Sequence, residues 1–210
     1  MQQIKFKHKI YTKQQIKKRL LSYYKLAEQN EIENHWYFTA NEFACKLAQK
    51  HSLKTFQVCG VIAALSPQKN WQANKRLATE FLRGKRHSQT AQQLNKAELC
   101  LTAKENEIFA LLTKTGLKTS YFYNNILFPF IDSGVTIDRH AIGACVVSIK
   151  NIQKFTGDFK LTKTQYDFFA ECYSEIAEQK NILPLQLQST IWQTYRRLKE
   201  LPLKYQTIPF

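Results

Sequence analysis

Two stretches of this chain carry side chains whose types and order suit contact with a polyanion. The first runs from Leu111 through Thr113, Lys114, Thr115 and Gly116 to Lys118: a helix, a glycine turn, and a second helix opening on a lysine. Backbone amides at such a turn and at the helix start behind it form a natural seat for phosphate. An ordinary helical hairpin with Gly116 as a helix C-cap gives the same string, so both readings stand. The second stretch runs from Val135 to Ala141, an extended apolar approach that ends in an acid, Asp138, at the start of an apolar helix. Aspartate is a preferred N-cap, and capping alone accounts for it there. His140, two residues on, is expected to point away from Asp138 and to serve as a structural group behind it. Arg139 reads as a partner for a phosphate or for an acid such as Glu107.

A third stretch lies upstream. Ile62 to Leu65 is apolar, and Ser66, Pro67, Gln68, Lys69, Asn70, Trp71, Asn74 and Lys75 follow. Taken in order, the Leu65-Ser-Pro-Gln68 segment, the turn with Lys118 behind it, and Ile137-Asp138-Arg-His140 about twenty residues later resemble the helix–hairpin–helix DNA glycosylase superfamily of the endonuclease III type. There a hairpin of the form Leu-Pro-Gly-Val-Gly-x-Lys-Thr-Ala precedes Val-Asp-Thr-His. The likeness covers residues 58–148 and extends to a phage-associated branch of the superfamily. The chain departs from the pattern at the hairpin, where Thr113 replaces the proline and Lys114 the first glycine, and it lacks the C-terminal iron–sulfur loop.

The resemblance implies an all-α, two-lobed fold with its active-site cleft between the lobes, and a base-excising enzyme acting on double-stranded DNA. The target base is turned out of the duplex at a cost of a few kcal/mol, and the N-glycosidic bond breaks to leave an abasic site. Asp138 takes the place of the carboxylate that stabilises the positive charge developing on the sugar. Lys118 matches the lysine that attacks the anomeric carbon and permits strand cleavage. A lysine does this only when desolvated or set beside a cation, and a plain phosphate contact is the equal alternative for Lys118. Gln68 falls where the family inserts a side chain into the vacated stack. Lys69, Lys75, Arg76, Lys114, Gly116 and Arg139 are the expected DNA contacts. Trp71, Tyr121, Tyr123 and His140 are the expected lining of a base pocket, with core packing as the alternative for the aromatics. No cofactor and no metal is expected. Two other functions fit the same residues: a transferase that remodels a hypermodified pyrimidine in phage DNA, and a helical DNA-binding module without catalysis.

These residues need elements to position them, and the periodicity supplies helices. Apolar positions recur at helical spacing over residues 12–29, 36–47, 71–82, 105–114, 117–127, 164–179 and 185–200, while 58–65 and 138–148 read as buried helices. The basic first helix and the two closing helices complete the unit, which reads as one over 1–210. Residues 85–103 are weakly patterned and read as loops with one short helix, 151–160 as a connection, and Ile4 to Ile10 as an extended arm.

Composition bounds the remainder. The 210 residues carry 31 Lys and Arg against 16 Asp and Glu, a formal charge of +15, with 44% hydrophobic and 13% aromatic side chains. That is a folded chain with a basic surface, so a polyanion is the expected partner. Lysines 5, 7, 9 and 13 suit an arm, and Lys17, Lys18 and Arg19 extend it along the first helix. No apolar run approaches the roughly 20 residues of a membrane span, and no secretory leader is recognisable. The five cysteines, Cys45, Cys59, Cys100, Cys145 and Cys172, lack metal-binding spacing and read as reduced core thiols. A cytoplasmic monomer in a bacterial or phage-infected cell is the resulting expectation.

Overall fold

The computed structural model describes residues 2–30, 34–86, 89–114, 116–156 and 159–200. Thr115, and parts of the connections expected at 85–103 and 151–160, lie outside them. The described chain is mostly helical, with ten α-helices and one two-stranded antiparallel hairpin. It divides into two compact units, residues 1–36 with 137–210, and residues 37–136.

The first unit begins with β1 (Gln3–Phe6) and β2 (Lys9–Thr12), paired Gln3 to Thr12 and Phe6 to Lys9. This is the expected arm, folded back on itself. Helix α1 (Lys13–Gln29) follows at once, because Thr12 caps it: the Thr12 hydroxyl accepts from the Gln15 amide, and the Gln15 side chain accepts from the Thr12 amide. The stripe Ile16, Leu20, Tyr23 and Ala27 is fully buried. It packs with α8 (Arg139–Val146), α9 (Lys163–Lys180) and α10 (Pro184–Glu200). A 3-10 turn at Ile149–Lys154 occupies part of the expected connection. Arg19 donates to the carbonyl of Cys145 at 3.2 Å, placing a cation at the C-terminal end of α8.

Helix α10 lies close to α8 because residue 143 is glycine. A Cβ there would meet the Tyr195 hydroxyl at 2.5 Å and its ring at 2.6 Å. The Tyr195 side chain therefore fills the slot that a larger residue would close. Tyr173 donates to the Ala141 carbonyl at 3.1 Å and Tyr23 to the Val147 carbonyl at 3.2 Å, so both phenols are satisfied within the core.

The second unit is built around α3 (Thr55–Leu65), apolar on every side and buried from Val58 to Leu65. Packed on it are α4 (Trp71–Leu82), α5 (Ala91–Thr102), α6 (Glu105–Thr113) and α7 (Leu117–Leu127). Helix α2 (Trp36–Lys50) opens this unit. The 12-residue α5 corrects the expectation of loops with one short helix. Its buried positions include Ala97 and Cys100, small side chains that give little periodic signal but allow close packing. A Cβ on Gly60 of α3 would stand 2.9 Å from the Cys100 thiol.

The cysteines are free thiols. Four are buried as expected, and Cys45 is the exception, exposed on α2. Burial pushes the Cys100 and Cys172 thiols up to about 12, which keeps them unreactive. Among the described residues no group of His, Cys, Asp or Glu is placed to hold a metal ion, and no helix is long and apolar enough to cross a membrane.

Candidate active site and nucleic-acid interface

Asp138 stands at the head of α8 with extended backbone, φ −94° and ψ −178°. The preceding amide, from Ile137, donates to the Tyr166 hydroxyl at 3.1 Å, which fixes the approach to the helix. One carboxylate oxygen, Oδ1, accepts from the amides of His140 at 3.0 Å and Ala141 at 2.8 Å. The other, Oδ2, lies 3.0 Å from Trp192 Nε1 and 3.2 Å from His140 Nδ1. All four acceptor positions of the carboxylate are thus engaged.

Burial pushes the Asp138 carboxyl up. The His140 contact, the Ala141 amide and the Trp192 indole outweigh it and hold the group below its ordinary 3.8. Asp138 is an anion at neutral pH, so Nδ1 of His140 carries the proton they share. The side chain is 23% exposed.

His140 corrects the sequence expectation. Two residues apart on a helix, the side chains would diverge, but Asp138 caps the helix from extended backbone and turns its carboxylate back over the first turn, where His140 meets it. The aromatic surround is assembled from residues distant in the chain. Trp192 of α10 lies 5.8 Å from the Trp36 ring and 6.1 Å from the His140 ring, and Tyr195 is 5.9 Å from His140. The sequence pairs Trp192 with Arg196 at i and i+4, and the guanidinium does sit 4.8 Å over the indole. Nothing in a spacing of 54 residues announces the bond to Asp138. Tyr195 is fully buried, and its hydroxyl has no hydrogen-bond partner among the described residues. Burial, with the Asp138 charge added, pushes that phenol up to about 12.

The hairpin of the second unit forms as expected, with α6 and α7 joined at Gly116. Glycine is required at 116 by φ +119° with ψ 147°, a region closed to side chains. The Gly116 amide donates to the Thr113 carbonyl at 2.7 Å, and the Thr113 and Ser120 hydroxyls are 2.7 Å apart. Lys114 and Lys118 are both exposed. Upstream, Gln68 is exposed in the turn between α3 and α4, with left-handed backbone at φ +62°. Such a conformation costs a non-glycine residue about 1 kcal/mol or more. Asn70 caps α4 through the Ala73 amide at 2.8 Å.

Of the other expected contacts, Lys69, Arg76 and Arg139 are exposed. Lys75 is half-buried, its ammonium 5.8 Å from the rings of both Phe43 and Trp71. Trp71 stands edge-on to Phe43 at 5.8 Å, and Tyr121 edge-on to Phe109 at 5.4 Å, both half-buried. Tyr123 is corrected from pocket lining to core: it is 2% exposed, and its hydroxyl is buried without a hydrogen-bond partner among the described residues. Helix α7 turns that position inward together with Ile126, toward α3.

Residues 2–199 match a family of unknown function, DUF7178, and the chain belongs to that family. No curated protein and no solved structure matches it.

Proposed function

We propose that this protein is a DNA glycosylase that turns a modified or damaged base out of duplex DNA and cleaves its N-glycosidic bond, with Asp138 as the catalytic carboxylate. The two-lobed architecture of the glycosylase superfamily belongs to the same proposal, as does a role in phage–host conflict. The observation that carries it is the state of Asp138: an ionised carboxylate, partly open to solvent, pinned by two amides and an indole beside an aromatic surround. A fixed negative charge of this kind stabilises an oxocarbenium-like sugar without reorganising.

The geometry supports a division of labour. In bond cleavage the electron pair of the C1′–N bond leaves with the base, and cationic character builds at C1′. Asp138, its four acceptor positions filled, serves as the charge opposite that carbon. Water then attacks C1′ and must lose a proton. His140, with Nδ1 tied to Asp138, offers Nε2 as the basic nitrogen for it. Lys118 is exposed, and an exposed lysine suits a phosphate contact, so this reading makes the enzyme monofunctional.

The test is direct. Duplexes bearing different modified bases are incubated with the protein, treated with alkali, and analysed by mass spectrometry. Free base and alkali-labile sites are expected from the wild type and not from Asp138→Asn. A mass shift on a retained nucleotide would instead identify a transferase, and binding without either product a non-catalytic module. Borohydride is expected to trap no covalent complex.

A further inference from the structure

Helix α1 is unusual in its charge. It carries Lys13, Lys17, Lys18, Arg19 and Lys25, and a single acid, Glu28, which is 3.8 Å from Lys180. A solvated helix face normally mixes signs at i and i+4. Here the nearest compensation comes from α9: Glu175 lies 2.6 Å from Lys13 and 2.8 Å from Lys17, and Glu171 lies 2.9 Å from Lys13. Arg19 is committed to the Cys145 carbonyl and the Tyr11 ring. Lys18 and Lys25 remain, exposed and without an ion-pair partner among the described residues.

These two lysines line an open groove of about 650 Å³. Its other walls include Gln14, Lys13, Lys17 and Glu175, so the groove holds four ammonium groups against one carboxylate. Positions 14, 18, 21 and 25 follow one another at spacings of four, three and four, which sets them in one stripe along the helix. Lys18 and Lys25 are seven residues apart, about 10 Å along the axis at 1.5 Å per residue. Phosphates of one DNA strand rise only about 3.4 Å per nucleotide along the axis but also turn around it, so that lysine spacing matches phosphates one to two nucleotides apart.

We propose that this groove seats one strand of a nucleic-acid backbone, Lys18 and Lys25 contacting phosphates one to two nucleotides apart, with Lys13 and Lys17 held behind them by Glu175. An anionic membrane surface is the other source of such phosphates. The helix is poorly made for it, since its apolar stripe of Ile16, Leu20, Tyr23 and Ala27 is fully buried in the core and cannot enter a bilayer. The proposal rests on the DNA-binding part of the function above, and not on base release.

The experiment is a salt series of equilibrium binding to a fluorescent duplex, read by anisotropy, for the wild type, Lys18→Gln, Lys25→Gln and the double variant. Lys163→Gln serves as a control, since Lys163 pairs with Asp167 on α9. Both groove lysines are exposed, so the variants should retain the wild-type circular dichroism. The slope of log K against log salt is expected to fall by about 1 for each single change and about 2 for the double, with the control unchanged. An unaltered slope in the double variant overturns the proposal. So does absence of duplex binding at low salt, or lysine-dependent capture by phosphatidylserine vesicles in its place. Binding with the expected slope loss but without base release supports the groove and counts against the glycosylase reading alone.

Discussion

The head of α8 and the head of α7 look alike in sequence, each an extended or glycine approach opening a helix on a charged group. In space they differ. Asp138 is bound by two amides, an indole and an imidazole, while Lys118 is exposed. A charge fixed at one position and another left in water are what the proposed division between a catalytic carboxylate and a backbone contact rests on. Held groups act without reorganising; solvated ones add affinity that salt removes.

The largest expected effect tests that contrast. Asp138→Asn should lower base release at least a hundredfold, measured in single-turnover assays, whereas Lys118→Gln should keep the rate at saturating protein and lower the salt slope of binding by about 1. A Lys118→Gln enzyme that binds normally but releases no base would reverse the assignment. The two Asp138 forms should also differ in acid. The native carboxyl lies below its ordinary 3.8, so its contribution to stability is present above that value and lost as pH falls through the lowered one. Asparagine is also a good cap. Its NH2, however, would face the Trp192 and His140 donors, so the variant should lose about 1–3 kcal/mol at neutral pH and lack that share of the acid-induced loss, as followed by urea midpoints from pH 6 to pH 2.

Next come the glycines behind the two helix heads. Gly143→Ala and Gly116→Ala should each cost about 1–3 kcal/mol, for different reasons. The first drives a methyl into Tyr195; the second forces a side chain into a backbone region reserved for glycine, with nothing among the described residues within 4 Å to clash. Tyr195→Phe removes the atom nearest the added methyl, so it should recover part of the first loss and none of the second, read as denaturant midpoints. Equal rescue of both would show that Gly143 is not limited by space.

The smallest effect belongs to Gln68. Gln68→Gly relieves the left-handed backbone and should raise stability by up to about 1 kcal/mol, while base release falls if the side chain fills the vacated stack. Unchanged release with raised stability would leave Gln68 as an ordinary turn residue.

Periodicity made most helices legible, down to the apolar surround of α3 and the glycine joining α6 to α7. It failed at α5, where Ala97 and Cys100 make a tight contact from side chains too small to mark a face. The site was half legible. Asp138 reads from its place before an apolar helix, but Trp192 reaches it only after α10 has docked, and no local rule encodes that. Helical spacing turns His140 away from Asp138, but Asp138 caps the helix rather than belonging to it, so the two side chains meet.

The first unit is assembled from both ends of the chain, residues 1–36 and 137–210, with 100 residues of the second unit between them. During synthesis α1 emerges with Ile16, Leu20 and Tyr23 uncovered, and the helices that cover them are not yet made. At about 5–20 residues per second, that interval lasts about 5–20 s. The second unit has all its own partners in hand over that time and can close first. The carboxylate site, which needs α8 and α10 together, is among the last parts of the molecule to exist, so a nascent chain would present the basic first helix well before Trp192 could meet Asp138.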